Sequence, residues 1–210
     1  MKKLIVFCVS FCLTAGVYAQ QAKDFRKAAE QGNAEAQYGL ADCYFNGYGV
    51  KSNYKQAVYW YRKAAEQGNE WGQYFLAYCY FVGYGVKADY KQAVIWYRKV
   101  AEQGNKHGEY FLAVCYYNGY GVTKDDKQAA HWYRKAAEQG YALAQKNLAY
   151  CYENGEGITR DGNTALYWYE KAIKNENGSL SETDIAEVEK SIRTLKAMGY
   201  SSSQAKDIPQ

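Results

Sequence analysis

Apolar positions along this chain recur first with a helical step and then with a much longer one. In residues 34–46, Ala36, Leu40, Ala41 and Tyr44 lie three to four apart, which predicts a helix. Gly47 ends it, because glycine accepts the left-handed conformation that follows a helix. A short "GYGV" linker comes next, and Asn53 stands where an N-cap is wanted. The residues from Tyr54 to Gln67 predict a second helix, with Ala57, Trp60, Tyr61 and Ala64 on its inner side. Gly68 ends that helix and Asn69 caps the next.

The pattern then returns. Trp60, Trp96, Trp132 and Trp168 are 36 residues apart, and so are Cys43, Cys79, Cys115 and Cys151. Asn53, Asp89, Asp125 and Asp161 keep the same step at the cap position. Four helix-turn-helix units therefore fill residues 33–175, with no strand signal between them. Stacked units of this kind predict an all-α solenoid. Residues 20–32 contain "FRKAAEQG", which reads as the second half of a preceding unit. Residues 176–200 predict a closing helix, with Ile185, Val188, Ile192 and Leu195 on one stripe and a Ser181/Asp184 cap. Residues 201–210 are expected to be a loose tail.

Composition narrows the class. The chain has 210 residues, 17% of them aromatic, with 24 tyrosines, five tryptophans and a single proline, Pro209. Such ring content argues against disorder and for a core rich in aromatic contacts. Residues 1–19 join a basic start to an apolar run and a small-residue end at Ala19, the pattern of a bacterial signal peptide. The run is shorter than the roughly 20 residues a span requires. Cys8 follows Phe7 and Cys12 follows Phe11, which excludes a lipid-anchor site. Residues 1–19 carry Lys2 and Lys3 and no acid, so without them 24 basic and 22 acidic residues leave a net charge of +2. That balance supplies no electrostatic reason for nucleic acid or an acidic membrane as partner. The expectation is a periplasmic or secreted protein, monomeric and outside the membrane once cleaved.

The repeated unit L-A-x-C-Y-x-x-G-Y-G-V-x-x-D-Y-K-Q-A-x-x-W-Y-R-K-A-A-E-Q-G resembles the Sel1-like repeat, a relative of the tetratricopeptide repeat. The resemblance implies an α-solenoid of four 36-residue Sel1-like repeats with terminal capping helices. It also implies an adaptor or scaffold role, because bacterial exported relatives hold other proteins. The matching residues are structural, among them Trp60, Trp96, Trp132, Trp168 and the four repeat cysteines.

The cysteines invite three readings: buried free thiols, disulfides, or a redox or metal role. Equivalent sites on adjacent repeats should lie roughly 9–11 Å apart, given helix packing distances of about 8–10 Å. Bridged Cα atoms must lie within about 7 Å, so free thiols are favoured. Cysteine-rich Sel1 relatives carry two cysteines per repeat, whereas this chain carries one.

Candidate chemistry is sparse. His131 replaces Tyr59, Ile95 and Tyr167 in register and reads as a packing variant. No histidine and carboxylate share metal-ligand spacing, so no metal or other cofactor is expected. "SNYK" at Ser52–Lys55 is formally S-x-x-K, but the next repeat writes "ADYK" there and no companion motif follows. A cell-wall or β-lactam-directed hydrolase, suggested by cysteine-rich relatives that bind penicillin, therefore stands as the alternative to a non-catalytic module. Glycan binding on an aromatic face is a third reading.

By analogy with the tetratricopeptide repeat, binding positions lie on the concave face lined by each unit's first helix. They vary between units while the rest repeats. In unit one they are Glu35, Tyr38, Asp42, Phe45 and Asn46, and in unit two Trp71, Tyr74, Tyr78, Phe81 and Val82. Unit three supplies His107, Tyr110, Val114, Tyr117 and Asn118, and unit four Leu143, Lys146, Tyr150, Glu153 and Asn154. The expected partner is a protein or peptide segment gripped by rings at Tyr38, Phe45, Trp71, Tyr74, Tyr78, Phe81, Tyr110, Tyr117 and Tyr150, with Asp42 and His107 as polar contacts.

The signal-peptide reading has a direct check. Mass spectrometry of the protein from its native host should show a chain starting at or near Gln20; an intact Met1 on mature material would overturn it.

Overall fold

The helices form where the sequence pattern places them, and their ends are chemically marked. A computed structural model describes residues 17–175, 180–206 and 208. Residues 17–30 form α1. It is followed by α2 (Ala34–Asn46), α3 (Tyr54–Glu66), α4 (Glu70–Val82), α5 (Tyr90–Glu102), α6 (Lys106–Asn118), α7 (Asp126–Glu138), α8 (Ala142–Asn154), α9 (Gly162–Lys174) and α10 (Glu182–Ala197). No strand occurs among the described residues. The all-α helix-turn-helix class expected from the sequence is the class observed. Each even-numbered helix from α2 to α8 is the first, or A, helix of a repeat, and the odd-numbered helix after it is the B helix. Asn33 and Asn69 accept backbone N–H groups of Ala36 and Gly72, at 2.8 and 2.7 Å. Asn53, Asp89, Asp125 and Asp161 do the same at the B helices. Tyr141 breaks the series, standing at the N-cap of α8 without a side-chain bond.

The chain divides into two compact units, one ending at Trp96 and the other beginning at Tyr97. In the first, Leu40, Ala41, Ala57, Tyr61, Leu76 and Ala77 are fully buried where α2, α3 and α4 pack together. In the second, Leu112, Ala113, Ala129, Leu148, Ala149 and Ala165 repeat the arrangement through α6, α7, α8 and α9. Each buried leucine is worth about 1.5–3 kcal/mol. Of the four repeat tryptophans, Trp96 and Trp168 are buried, while Trp60 and Trp132 are half-buried. Lys135 lies over the Trp132 ring at 4.7 Å. His131, expected as a packing residue, has an exposed side chain against the Trp132 edge.

Cys43, Cys79, Cys115 and Cys151 are buried and unpaired. Burial pushes the thiols of Cys79, Cys115 and Cys151 up to about 12.

Successive repeats are also stapled by arginine and tyrosine. Arg62 Nη2 donates to the Tyr80 hydroxyl at 2.6 Å in the first unit, and Arg98 to Tyr116 at 2.6 Å in the second. Arg134 bonds Tyr152 in the same way. Each guanidinium also sits 5.6–5.7 Å from the ring centre of its partner. Such charge-assisted bonds contribute roughly 1.5–3 kcal/mol.

A second repeated bond comes from a buried glutamine. Gln37, Gln73 and Gln145 donate to the carbonyls of Ala29, Ala65 and Ala137 at 3.0–3.2 Å. Glu109 stands at the same position in the third repeat and is 1% exposed. An ionised carboxylate has no hydrogen to donate to the matching carbonyl, that of Ala101. It accepts instead from Gln139 at 2.8 Å, with Lys135 at 3.9 Å. Burial holds its carboxyl above the usual glutamate range, against the pull of Lys135 and Gln139.

Both ends depart from the repeat. At the N-terminal end α1 begins at residue 17, ahead of the expected boundary at residue 20, and Tyr18 stacks on Tyr48 at 5.2 Å. The rest of the expected signal peptide lies outside the described residues. Asp24 occupies the tryptophan position, so the outer side of α1 is polar, as a terminal repeat requires. At the C-terminal end, Ser181 and Asp184 form the capping box of α10. Val188 and Leu195 are buried, whereas Ile185 on the same stripe is exposed. Glu170 replaces the stapling arginine and binds Lys196 at 2.7 Å and Ser202 at 2.9 Å.

The expectation of a loose tail fails for residues 201–206. Ser202–Gln204 form a 3₁₀ turn, Ser201 donates to Asn163, and Thr164 Oγ1 bonds both polar backbone groups of Lys206. Residues 207, 209 and 210 lie outside the described set. No helix among the described residues is long and apolar enough to cross a membrane.

Two tests follow from this packing. Glu109→Gln should raise stability in urea by about 1 kcal/mol at neutral pH, by restoring a buried hydrogen bond. The raised native pKa of Glu109 means that the wild type is relatively most stable below 4.5, the ordinary glutamate value, and loses that contribution as pH climbs through the raised value. The advantage of the variant should therefore shrink on acidification, and a pH-independent difference would assign it to packing alone. In the second test, the four thiols should resist alkylation in the folded protein at mildly alkaline pH and all react in concentrated guanidinium without reductant. Fewer reactive thiols after denaturation would show that disulfides exist.

Candidate functional site

The A helices present the residues that vary between repeats. In the first unit α2 carries Tyr38, Asp42 and Phe45, and α4 carries Trp71, Tyr74, Tyr78 and Phe81. In the second, α6 carries His107, Tyr110 and Tyr117, and α8 carries Tyr150. None of these eleven side chains is buried. Trp71 and Tyr150 are exposed, at 39% and 43%.

In the first unit the rings form a connected sheet of contacts. Trp71 meets Tyr74 edge-on at 5.9 Å, and Tyr74 meets Phe75 at 5.1 Å. Tyr38 lies against Phe75 at 6.0 Å, and Tyr78 lies 6.0 Å from Tyr84. Phe45 is enclosed by Tyr54, Tyr61, Phe75 and Tyr84 at 5.2–6.4 Å, so it serves as a wall rather than as a free contact. Phe81 packs edge-on against Tyr90. Five of these rings, Tyr54, Tyr61, Phe75, Tyr84 and Tyr90, were not among the expected site residues. Tyr61, on α3, forms the floor and stacks on Phe75 at 5.3 Å. Tyr84 belongs to the turn and stacks on Tyr54 at 4.9 Å. Phe75 could have been singled out, since its register position varies to Gly39, Phe111 and Asn147.

The second unit fills the same slots with polar groups. Phe45, Tyr54 and Tyr84 correspond in register to Tyr117, Asp126 and Glu156. Burial, then hydrogen bonds with Glu156 and Tyr150, push the Tyr117 hydroxyl far above its ordinary value. Asn147 replaces Phe75, and its polar amide works against the effect of burial on the hydroxyls of Tyr110 and Tyr133. Burial raises Tyr110 to about 12. His107 and Tyr110 both pack on Tyr141, at 5.0 and 4.9 Å.

A cleft of 410 Å³ opens between α6 and α8, lined by Tyr110, Val114, Tyr117, Tyr133, Asn147 and Tyr150. A neighbouring cleft of 470 Å³ lies between α8 and α10, lined by Tyr150, Glu153, Tyr169 and Ser191 among others. Lys146 borders both and is held by Asp184 and by Glu187, the latter at 2.7 Å. That pairing depresses the carboxyl of Asp184.

The Ser52 hydroxyl donates to the Phe45 carbonyl at 3.3 Å, closing its turn. Among the described residues no group of three or more His, Cys, Asp or Glu is placed to hold a metal ion.

Known proteins place these features in context. No curated protein sequence matches the chain. Solved structures do. A protective antigen present in uropathogenic Escherichia coli strains, displaying an SLR fold, is 40% identical over 74% of this chain, with a TM-score of 0.72. This chain spans 33% of that antigen's length. A Sel1 repeat protein from Oxalobacter formigenes is 36% identical, covering 85% of this chain and 76% of its own, with a TM-score of 0.74. Helicobacter pylori cysteine rich protein B is 27% identical over 66% of this chain and 96% of its own, with a TM-score of 0.50. The Sel1 repeat model matches residues 25–33, 34–69, 72–105, 106–141 and 142–177, and on that match this chain belongs to the Sel1 repeat family.

Proposed function

We propose that this chain is an exported, non-catalytic binding module that holds a segment of a partner protein against the A-helix faces of its repeats. Sel1 repeats typically serve as protein-interaction modules. One observation carries the reading for this chain: the eleven A-helix positions named above differ between repeats, and none of their side chains is buried. The repeating leucines, alanines and cysteines of the A helices are buried instead. Rings such as Trp71 and Tyr78 supply large rigid contact area at little entropic cost, which suits a hot spot.

Export rests on residues 1–19 and accords with the E. coli relative being a protective antigen. The compartment proposed is the periplasm or the medium. No cofactor is needed for this role.

Site-specific photo-crosslinking in the native host tests it. A benzoylphenylalanine at Tyr78 or Tyr150, on A helices, should capture a protein that the same group at Tyr59, exposed on α3, does not capture. Trp71→Ala should weaken that partner about thirtyfold, the effect of truncating a hot-spot ring, with helicity by circular dichroism unchanged. Adducts only from Tyr59, or none from any position, would overturn the reading. Fractionation with the cytosol would overturn export.

A further inference from the structure

Where α2 and α4 meet α3, the first unit leaves a carboxylate without a counter-charge and a buried hydroxyl without a hydrogen bond. Asp42 lies on α2, half-buried between Tyr38 and Phe45 in sequence. The same position holds Tyr78, Val114 and Tyr150 in the other repeats, so this is its one carboxylate. Asn46 donates to Asp42 Oδ1 at 2.8 Å. None of the ion pairs formed by described lysines and arginines reaches Asp42. Its charge is therefore partly desolvated and not neutralised, and burial holds its carboxyl above the ordinary aspartate range.

Beneath it is the floor tyrosine. Tyr61 is 0% exposed and its hydroxyl has no hydrogen-bond partner. Asp42, Tyr38, Cys43 and Cys79 are the polar groups that act on it. At the corresponding position of the last repeat the hydroxyl has a partner: Tyr169 donates to Glu153 at 2.8 Å. An orphaned buried hydroxyl costs about 1–3 kcal/mol, which an incoming hydrogen-bonding group would recover. The walls are π faces: Tyr38 and Phe45 each lie 6.2 Å from the Tyr61 ring, and Phe75 lies 5.3 Å from it.

We propose that the α2–α4 face around Asp42 is the subsite for a basic side chain, lysine or arginine, of the bound partner segment. This deepens the binding-module reading and rests on it. The chemistry selects the class. An uncompensated carboxylate asks for a positive charge. An orphaned hydroxyl with a carboxylate beside it asks for a group with more than one N–H donor. Ring faces accept both the apolar stem and the cationic head of such a side chain. A carboxylate ligand would meet Asp42 with like charge, and an aliphatic one would leave both polar groups unmet. The head group reaches Asp42 through its exposed surface, and meeting the Tyr61 hydroxyl, which is fully buried, requires the rings around it to move.

Peptide titrations by NMR decide the matter. The probes are acetylated Ala-Lys-Ala, Ala-Arg-Ala and Ala-norleucine-Ala amides, added to the ¹⁵N-labelled full chain. The lysine and arginine peptides should shift amides of α2 and α4 saturably. The norleucine peptide should bind there about thirtyfold more weakly, the scale of a desolvated cation–π contact. Asp42→Asn should erase that preference, and Tyr61→Phe should weaken the lysine peptide while leaving norleucine unchanged. Equal binding of all three peptides at α2 and α4 would overturn the cation subsite yet leave a peptide-binding face standing. An unchanged preference in Asp42→Asn would also overturn it. No shift at α2 and α4 with any peptide would remove both the subsite and the face.

Discussion

Within each unit, the spacing of the repeats depends on one close approach. The second glycine of the turn lies directly on the first residue of the preceding B helix. A Cβ on Gly85 would sit 2.2 Å from the Tyr54 carbonyl oxygen, and one on Gly157 would sit 2.0 Å from that of Asp126. Both glycines also hold φ near +69°, a conformation that other residues rarely adopt. No larger residue fits, so each turn is seated at a fixed distance from its predecessor. Once that offset is set, the rest falls into register. The guanidinium of one B helix meets the tyrosine hydroxyl eighteen residues on, and the glutamine on α2, α4 and α8 meets the carbonyl eight residues back.

A fixed frame with variable inserts has a functional consequence. The slot that holds Phe45, Tyr54 and Tyr84 in the first unit holds Tyr117, Asp126 and Glu156 in the second. The backbone beneath is the same, since Gly85 and Gly157 approach their carbonyls alike. Change at these positions leaves the buried leucines and alanines untouched. The chain can therefore present rings in one unit and hydrogen-bonding groups in the other without altering the core that supports them. At Glu109 the variation enters the core itself, and there a donor is lost.

Much of this was legible in the sequence, because the signals are local or periodic. Helical spacing, asparagine and aspartate caps and turn glycines act over a few residues, and a 36-residue period marks the equivalent tryptophans and cysteines. The A-helix positions could be named by register alone, and none of the eleven proved to be buried. Which of them are free was not legible. Phe45 is consumed by four rings, and Lys146 by two carboxylates on α10. Tyr61, Phe75, Tyr84 and Tyr141 enter the site from the B helix, a neighbouring register position, the turn and a failed cap. These are partnerships between residues tens of positions apart, and no local pattern encodes them. Residues 201–206, polar and unpatterned, read as a tail, yet Thr164 and Asn163 hold their backbone. The sequence by itself determined the helices, their ends and their period, because those depend on φ, ψ and neighbours within a turn. Only the tertiary structure decided which polar groups found partners and which, like the Tyr61 hydroxyl, did not, because that depends on how side chains from different helices fill a shared space.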